Sequence, residues 1–146
     1  NLSIDQIYEI NTLTYKEQKT ICPFSFDYLS RLDQQATKQG KAIKSGLKDK
    51  DGNILAINYL IIDNEVCYQL FCAADTRFSH LNAPSVLLWK SLQYAKEKKC
   101  KTYDFTGSIM PQIETFIRHF GAEQTQYFYM QKQYSKIYSL LRKLKR

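Results

Sequence analysis

No stretch of this chain stays apolar for long. The longest such run, residues 54–62, is broken by Asn58 and falls far short of the roughly 20 residues a membrane-spanning helix needs. The first residues show no charged-then-apolar leader pattern. Cys22, Cys67, Cys72 and Cys100 show neither CxxC nor Cys/His spacing. The two histidines, His80 and His119, stand far apart, so no metal site is expected. Cys67 and Cys72 lie five apart, and on a regular strand they would face opposite sides. This pattern suits free thiols in a reducing, cytoplasmic compartment and argues against a disulfide framework. Repeats and low-complexity linkers are absent, and eleven Tyr and eight Phe argue against a disordered chain. Acidic residues are missing from one end. None follows Glu123, and the six basic residues of 132–146 hold +6 of the net +7. The body is therefore nearly neutral, and a basic amphipathic helix is expected over 133–146.

What is present suits one α/β domain, since 146 residues are enough for a sizeable core. Residues 3–18 carry Ile4, Ile7, Tyr8 and Leu13 at loose helical spacing, with Ser3 as N-cap. Residues 25–39 form a second helix capped by Ser25, with the stripe Phe26, Leu29, Leu32 and Ala36, and Gly40 ends it. The period then changes. Residues 41–48, 53–62 and 65–73 read as an antiparallel meander turned at Asp51-Gly52 and Asp63-Asn64. Leu55, Ile57, Tyr59 and Ile61 would share one face of the central strand, with Ala56, Leu60 and Ile62 on the other. A polar loop over 75–81 leads to a helix over 82–98, starting near Asn82 or Ser85. Its Val86, Leu87, Trp89, Leu92 and Tyr94 predict a largely buried element.

The stretch 103–123 is the most informative. Tyr103 to Phe105 is strand-prone, Gly107 and Ser108 break it, and Pro111 suits a first helical turn. Ile113, Phe116, Ile117 and Phe120 follow at helical spacing, and Gly121 is placed as a stop. Residues 124–131 alternate as a strand, with Tyr127 and Tyr129 on one face and Phe128 and Met130 on the other. The element order is ααβββαβαβα, which implies a mixed, mostly antiparallel sheet flanked by helices.

These residues resemble the GNAT acyltransferase superfamily, and more closely its FemAB-like branch, the interpeptide-bridge enzymes of peptidoglycan and their relatives. The resemblance rests on Ala83-Pro84 with Leu87-Leu88-Trp89, Tyr103-Asp104-Phe105-x-Gly107-Ser108, Ile113-Glu114-x-Phe116, and Phe120-Gly121. Asp51-Gly52-Asn53-Ile54-Leu55-Ala56 and Tyr68 fit upstream, and the match runs over about 41–132. Members of that branch carry two GNAT-like halves. The resemblance, with Asn1 in place of Met, implies a single GNAT-like domain over 1–146 that is the C-terminal half of a longer protein.

The resemblance implies transfer of an acyl or aminoacyl group onto an amine, with a peptidoglycan precursor as one acceptor. It places the acyl donor on Phe71, Cys72 and Ala73, on Arg77, Asn82 and Ser85, and on Gly107 and Ser108. Acetyl-CoA-dependent members carry a Gly-rich loop that wraps pyrophosphate. Here residues 77–84 contain no glycine, and Pro84 lacks an N–H, which suits aminoacyl-tRNA as donor better than acyl-CoA. The plainer reading has Asn82 capping its helix and Arg77 solvated. Asp104 orients the amine or holds the loop by bonding backbone N–H groups. Tyr127 and Tyr129 are candidates to protonate the leaving group, or are core aromatics. Ser108 has no His/Asp partners in view, which argues against a serine nucleophile. Glu114 suits its first-turn position as a helix-stabilising carboxylate.

The helix over 133–146 sets Ile137, Tyr138, Leu141 and Leu144 against Lys136, Arg142, Lys143, Lys145 and Arg146. It would hold tRNA phosphates, rest on an anionic membrane surface at the inner face, or dock its apolar side on the sheet as a solvated helix. Two rival expectations stand beside aminoacyl transfer: an acetyl-CoA-dependent N-acetyltransferase, and a non-catalytic binding or interface module of the same fold.

Overall fold

The computed structural model describes residues 2–107, 111–128 and 130. Two helices come first. Helix α1, Ile4–Glu17, starts at a capping box: the Ser3 hydroxyl accepts from the Gln6 amide, and the Gln6 side chain accepts from the Ser3 amide. Helix α2, Phe26–Lys38, is capped by Ser25, whose hydroxyl accepts from the Tyr28 amide. It ends where Gly40 takes φ 66°, a conformation glycine adopts without steric cost.

Strands β1 (Ala42–Lys48), β2 (Ile54–Asp63) and β3 (Val66–Ala74) form the expected antiparallel meander. A 3-10 helix, Thr76–Leu81, replaces the predicted polar loop. Its start is fixed by Asp75, whose carboxylate accepts from the Arg77 amide. Helix α3, Ala83–Glu97, then crosses over to β4, Thr102–Asp104, which pairs parallel to β3. The sheet order is β1-β2-β3-β4. Helix α4, Pro111–Arg118, begins on its proline and stops ahead of Gly121, at φ 81°. Among the described residues no helix is long and apolar enough to cross a membrane.

The central strand explains the layering. Ile57 and Tyr59, with Ile61 beside them, pack against Ile7 and Ile10 of α1. Ala56 meets Ala83 and Leu87, and Leu60 with Ile62 meets Ala95, all from α3. The sheet is thus covered on both faces. Ile57, Tyr59, Leu60 and Leu88 are fully buried, each such side chain being worth roughly 1.5–3 kcal/mol. Gly46 lets Leu2 pack on β1: a Cβ there would sit 2.5 Å from Leu2 Cδ1.

Two bulges shift faces that strict alternation assigns otherwise. Lys48 pairs with Ile54 while Leu47 pairs with Ala56, so Leu55 is an extra residue. It joins Ala56 under α3 instead of sharing a face with Ile57. In β3, Gln69 pairs with Leu60 and Phe71 with Tyr59, which makes Leu70 the extra residue. Cys67 pairs with Ile62 and Cys72 with Asn58, four apart on β2, so the two thiols share the α3 face. The expectation of opposite faces assumed a regular strand.

Three other expectations are corrected. Helix α3 buries Ala83, Leu87, Leu88, Ser91 and Ala95, while Val86 and Trp89, out of phase with that stripe, stand 46% and 55% exposed. Asn82 occupies the N-cap position of α3, yet its side chain makes no capping hydrogen bond, because the residue sits at φ 49° and not in an extended conformation. Residues 124–128 form no strand. Tyr127, Phe128 and Met130 are each more than three-quarters exposed. Alternation defines two faces but supplies no neighbouring backbone to bond. Tyr129, Ser108 and the helix expected over 133–146 lie outside the described residues.

Candidate functional site

The parallel pairing of β3 and β4 is short. Val66, Cys67 and Tyr68 oppose Thr102, Tyr103 and Asp104, and there the register ends. β3 runs on to Ala74 with β2 as its remaining sheet partner. Its other edge, over residues 70–74, is left without a strand among the described residues. The divergence coincides with the Leu70 bulge. The two strands therefore open a cleft whose walls are residues 70–74 on one side and 105–107 on the other.

Phe71, Cys72 and Ala73 occupy the open end of β3. Phe71 points to the α1–α2 side, packed on Tyr59 at 5.9 Å between ring centroids and on Phe24 at 4.9 Å. Cys72 faces α3, where burial pushes its thiol up to about 11, so it is a neutral wall group. Gly107, at φ 72°, ends the described part of the opposite wall. Asp104 is exposed, and its carboxylate accepts from the Thr106 amide at 2.7 Å, the geometry of one of the two roles read for it. Tyr127, 81% exposed, lies in the irregular stretch after α4.

Arg77, Asn82 and Ser85 gather where β3 gives way to α3. The Arg77 guanidinium is clamped by Asp75, with Nε 3.0 Å from both carboxylate oxygens and Nη2 2.5 Å from Oδ2. This partner holds the Asp75 carboxyl below its usual range, chiefly through the side-chain hydrogen bond. The first turn of α3 offers few free donors. Pro84 has none, and the Ser85 and Val86 amides both bond the Asn82 carbonyl. Asp75, which sequence reasoning passed over, thus sets both the 3-10 turn and the arginine.

A buried polar group lies under α3 beside the cleft, and sequence reasoning missed it as well. Asn58 donates from Nδ2 to Ser91 Oγ at 2.7 Å, and Ser91 donates to the Leu87 carbonyl. Tyr103 donates to Gln69 Oε1 at 2.7 Å. Burial raises the Tyr103 phenol above its ordinary value, so it stays a donor at neutral pH. Asn58 Oδ1 is buried with no partner among the described residues. The signal was present in the sequence, since Asn58 is the one polar interruption in the apolar run of β2. No cluster of three His, Cys, Asp or Glu side chains suited to a metal occurs among the described residues.

The sequence matches, over residues 3–126, a family described as an acetyltransferase (GNAT) domain. A comparison with curated proteins found no match. Several solved structures share the fold. An aminoglycoside antibiotic 6'-N-acetyltransferase from Acinetobacter baumannii is 13% identical, with a TM-score of 0.65, 92% of this chain and 96% of that one being covered. A glucosamine-6-phosphate N-acetyltransferase from Arabidopsis thaliana is 14% identical, with a TM-score of 0.62 and coverage of 92% and 95%. An acetyltransferase from Trypanosoma brucei is 11% identical, with a TM-score of 0.63 and coverage of 90% and 96%. At these identities the likeness concerns the fold alone.

Proposed function

We propose, from the premise that this chain belongs to the acetyltransferase (GNAT) domain family, that it moves an aminoacyl or other acyl group onto a primary amine. The observation that carries this reading is the cleft itself. Where β3 and β4 part after Tyr68 and Asp104, the free edge of β3 offers backbone N–H groups to a carbonyl oxygen. Such fixed donors stabilise the oxyanion that forms when an amine attacks. A C–N bond forms, the ester or thioester bond breaks, the ammonium proton passes to water, and the leaving group takes a proton. We assign that last proton to the phenols Tyr127 and Tyr129, and we assign Asp104 to the loop.

The donor we favour is aminoacyl-tRNA, with an amine on a peptidoglycan precursor as acceptor, as in the FemAB-like branch. The support is local: Pro84, the bonded Ser85 and Val86 amides, and the Asp75–Arg77 clamp leave α3 a poor cradle for pyrophosphate. The six basic residues of 132–146 would hold tRNA phosphates. An upstream GNAT-like unit would complete the acceptor site. The second reading is acetyl-CoA-dependent N-acetylation, and the family match and the acetyltransferase fold neighbours favour it.

One experiment separates the two. A lysine-containing muramyl pentapeptide is incubated with the protein and either charged tRNA or acetyl-CoA, and products are weighed by mass spectrometry. Addition of an amino acid supports the first reading and addition of acetyl the second. No addition from charged tRNA with the upstream unit also supplied refutes the first reading, and no consumption of acetyl-CoA with this or other primary amines refutes the second.

A further inference from the structure

The cleft opens at a particular rung, and two side chains stand where that rung would form. At the start of the parallel pair, the Glu65 carbonyl accepts from the Thr102 amide at 3.2 Å. Rungs on one edge of a parallel strand recur every second residue. With Cys67 opposite Tyr103 and Tyr68 opposite Asp104, the register sets Cys67 carbonyl against Asp104 amide and Gln69 carbonyl against Thr106 amide. The Gln69–Thr106 rung is not made through the backbone. The Thr106 amide instead donates to Asp104 Oδ1 at 2.7 Å, and the Gln69 carbonyl accepts from Thr106 Oγ1 at 2.8 Å.

The backbone records the exchange. Thr106 takes φ 56°, a left-handed conformation seldom adopted by a β-branched residue, and Gly107 follows at φ 72°. Two successive left-handed residues carry the chain off the sheet. Gln69 is held from both ends, its carbonyl by Thr106 and its side chain by Tyr103. It lies immediately before the Leu70 bulge, so strand parting and bulge share one anchor.

We infer that Asp104 and Thr106 form a side-chain stop that ends the β3–β4 ladder at Gln69 and holds the cleft open. They are positioning residues: one captures the amide and the other occupies the carbonyl that a continuing strand would have joined. Their importance to catalysis rests on the cleft being the acyl site, whereas their effect on the ladder does not. Both face solvent enough for the test to spare the fold, Asp104 and Thr106 being exposed.

The test uses the full chain and four substitutions. Thr106→Val keeps the shape and loses the hydroxyl, while Thr106→Ser keeps the hydroxyl. Asp104→Ala removes the acceptor, while Asp104→Asn retains an oxygen. Amide exchange is read residue by residue by NMR. In the Thr106→Val/Asp104→Ala double variant, the amide at 106 re-enters the ladder, and exchange at the open edge of 70–74 slows by about tenfold or more. Thr106→Ser and Asp104→Asn keep wild-type exchange there. With the donor that the wild type turns over in the pentapeptide assay, the double variant raises the donor KM by roughly tenfold, the factor one well-made hydrogen bond is worth. Thr106→Ser restores it, which a loss of stability alone would not produce. Equal exchange and equal KM in the Val and Ser variants overturn the inference. If the wild type transfers nothing, the functional reading falls, and the exchange data still decide the stop.

Discussion

Asp33 bonds three side chains on the α2 side of the sheet, and replacing it tests how that layer is held. It is 7% exposed. Its Oδ1 accepts from the Tyr59 hydroxyl at 3.0 Å and from Thr37 Oγ1 at 3.3 Å, and its Oδ2 accepts from Lys44 Nζ at 2.7 Å. One carboxylate therefore joins α2 to β1 and β2. In Asp33→Ala the fully buried Tyr59 hydroxyl loses its acceptor, a cost of about 1–3 kcal/mol. Lys44 loses its partner too, although its side chain is 20% exposed and can turn its head to water. The expected total is about 3 kcal/mol, below the upper range for breaking a buried pair, or roughly a 10 °C fall in Tm.

Asp33→Asn keeps an oxygen for Tyr59 and should cost about half as much. Tyr59→Phe alone should cost about 1 kcal/mol. In the double variant Asp33→Ala/Tyr59→Phe no hydroxyl is orphaned, so the loss should fall short of the sum by at least about 1 kcal/mol. Urea unfolding of the four proteins measures this. Costs that add to within about 0.5 kcal/mol would refute the view that Asp33 acts by satisfying Tyr59.

Three further outcomes are expected. Ser91→Ala strips Asn58 Nδ2 of its acceptor beside an Oδ1 that already has no described partner, and urea unfolding should show a loss of about 2 kcal/mol. Gly46→Val would place carbon 2.5 Å from Leu2 Cδ1 and 3.1 Å from the Ala56 carbonyl, costing about 1–3 kcal/mol; Leu2→Ala in the same chain should recover part of it. Burial holds Cys67 at about 12 and Cys72 at about 11, against an ordinary 9.0. Both folded values are raised, so the unfolded chain loses these protons first. Stability is then full below pH 9 and is lost as pH rises through about 11 and 12. Tm should be flat between pH 7 and about 9 and fall beyond, less steeply in Cys67→Ala/Cys72→Ala.

Much of the layering was legible because it depends on local chemistry. Ser3, Ser25, Gly40, Pro111 and Gly121 marked helix ends by caps and backbone freedom, and each sits at the end it marked. The three meander strands followed from period. What escaped was non-local. The bulges at Leu55 and Leu70 arise from how strands fit one another, and no single strand reveals them. They moved Leu55 across the sheet and brought Cys67 and Cys72 to one face. The alternation of 124–131 lacked a partner strand over 124–128. At the site, the place of Asp104 before Gly107 pointed to a bond with a backbone amide as one of two roles, and the Thr106 amide makes that bond. The Thr106 hydroxyl acquires its partner only when β4 lies beside Gln69. Asp75 likewise gains meaning only once Arg77 folds back on it.

If acyl transfer takes place at the β3–β4 cleft, a bound donor must shield that cleft from hydrogen–deuterium exchange. The full chain is exchanged with and without acetyl-CoA, and with and without charged tRNA bearing a non-hydrolysable aminoacyl linkage. Binding at the cleft should protect residues 70–74 and 105–107, with 82–86 added for whichever donor engages α3. Protection confined to the groove of Tyr28, Arg31, Leu32 and Gln35 on α2, or no protection by either donor, would rule out acyl transfer at the cleft.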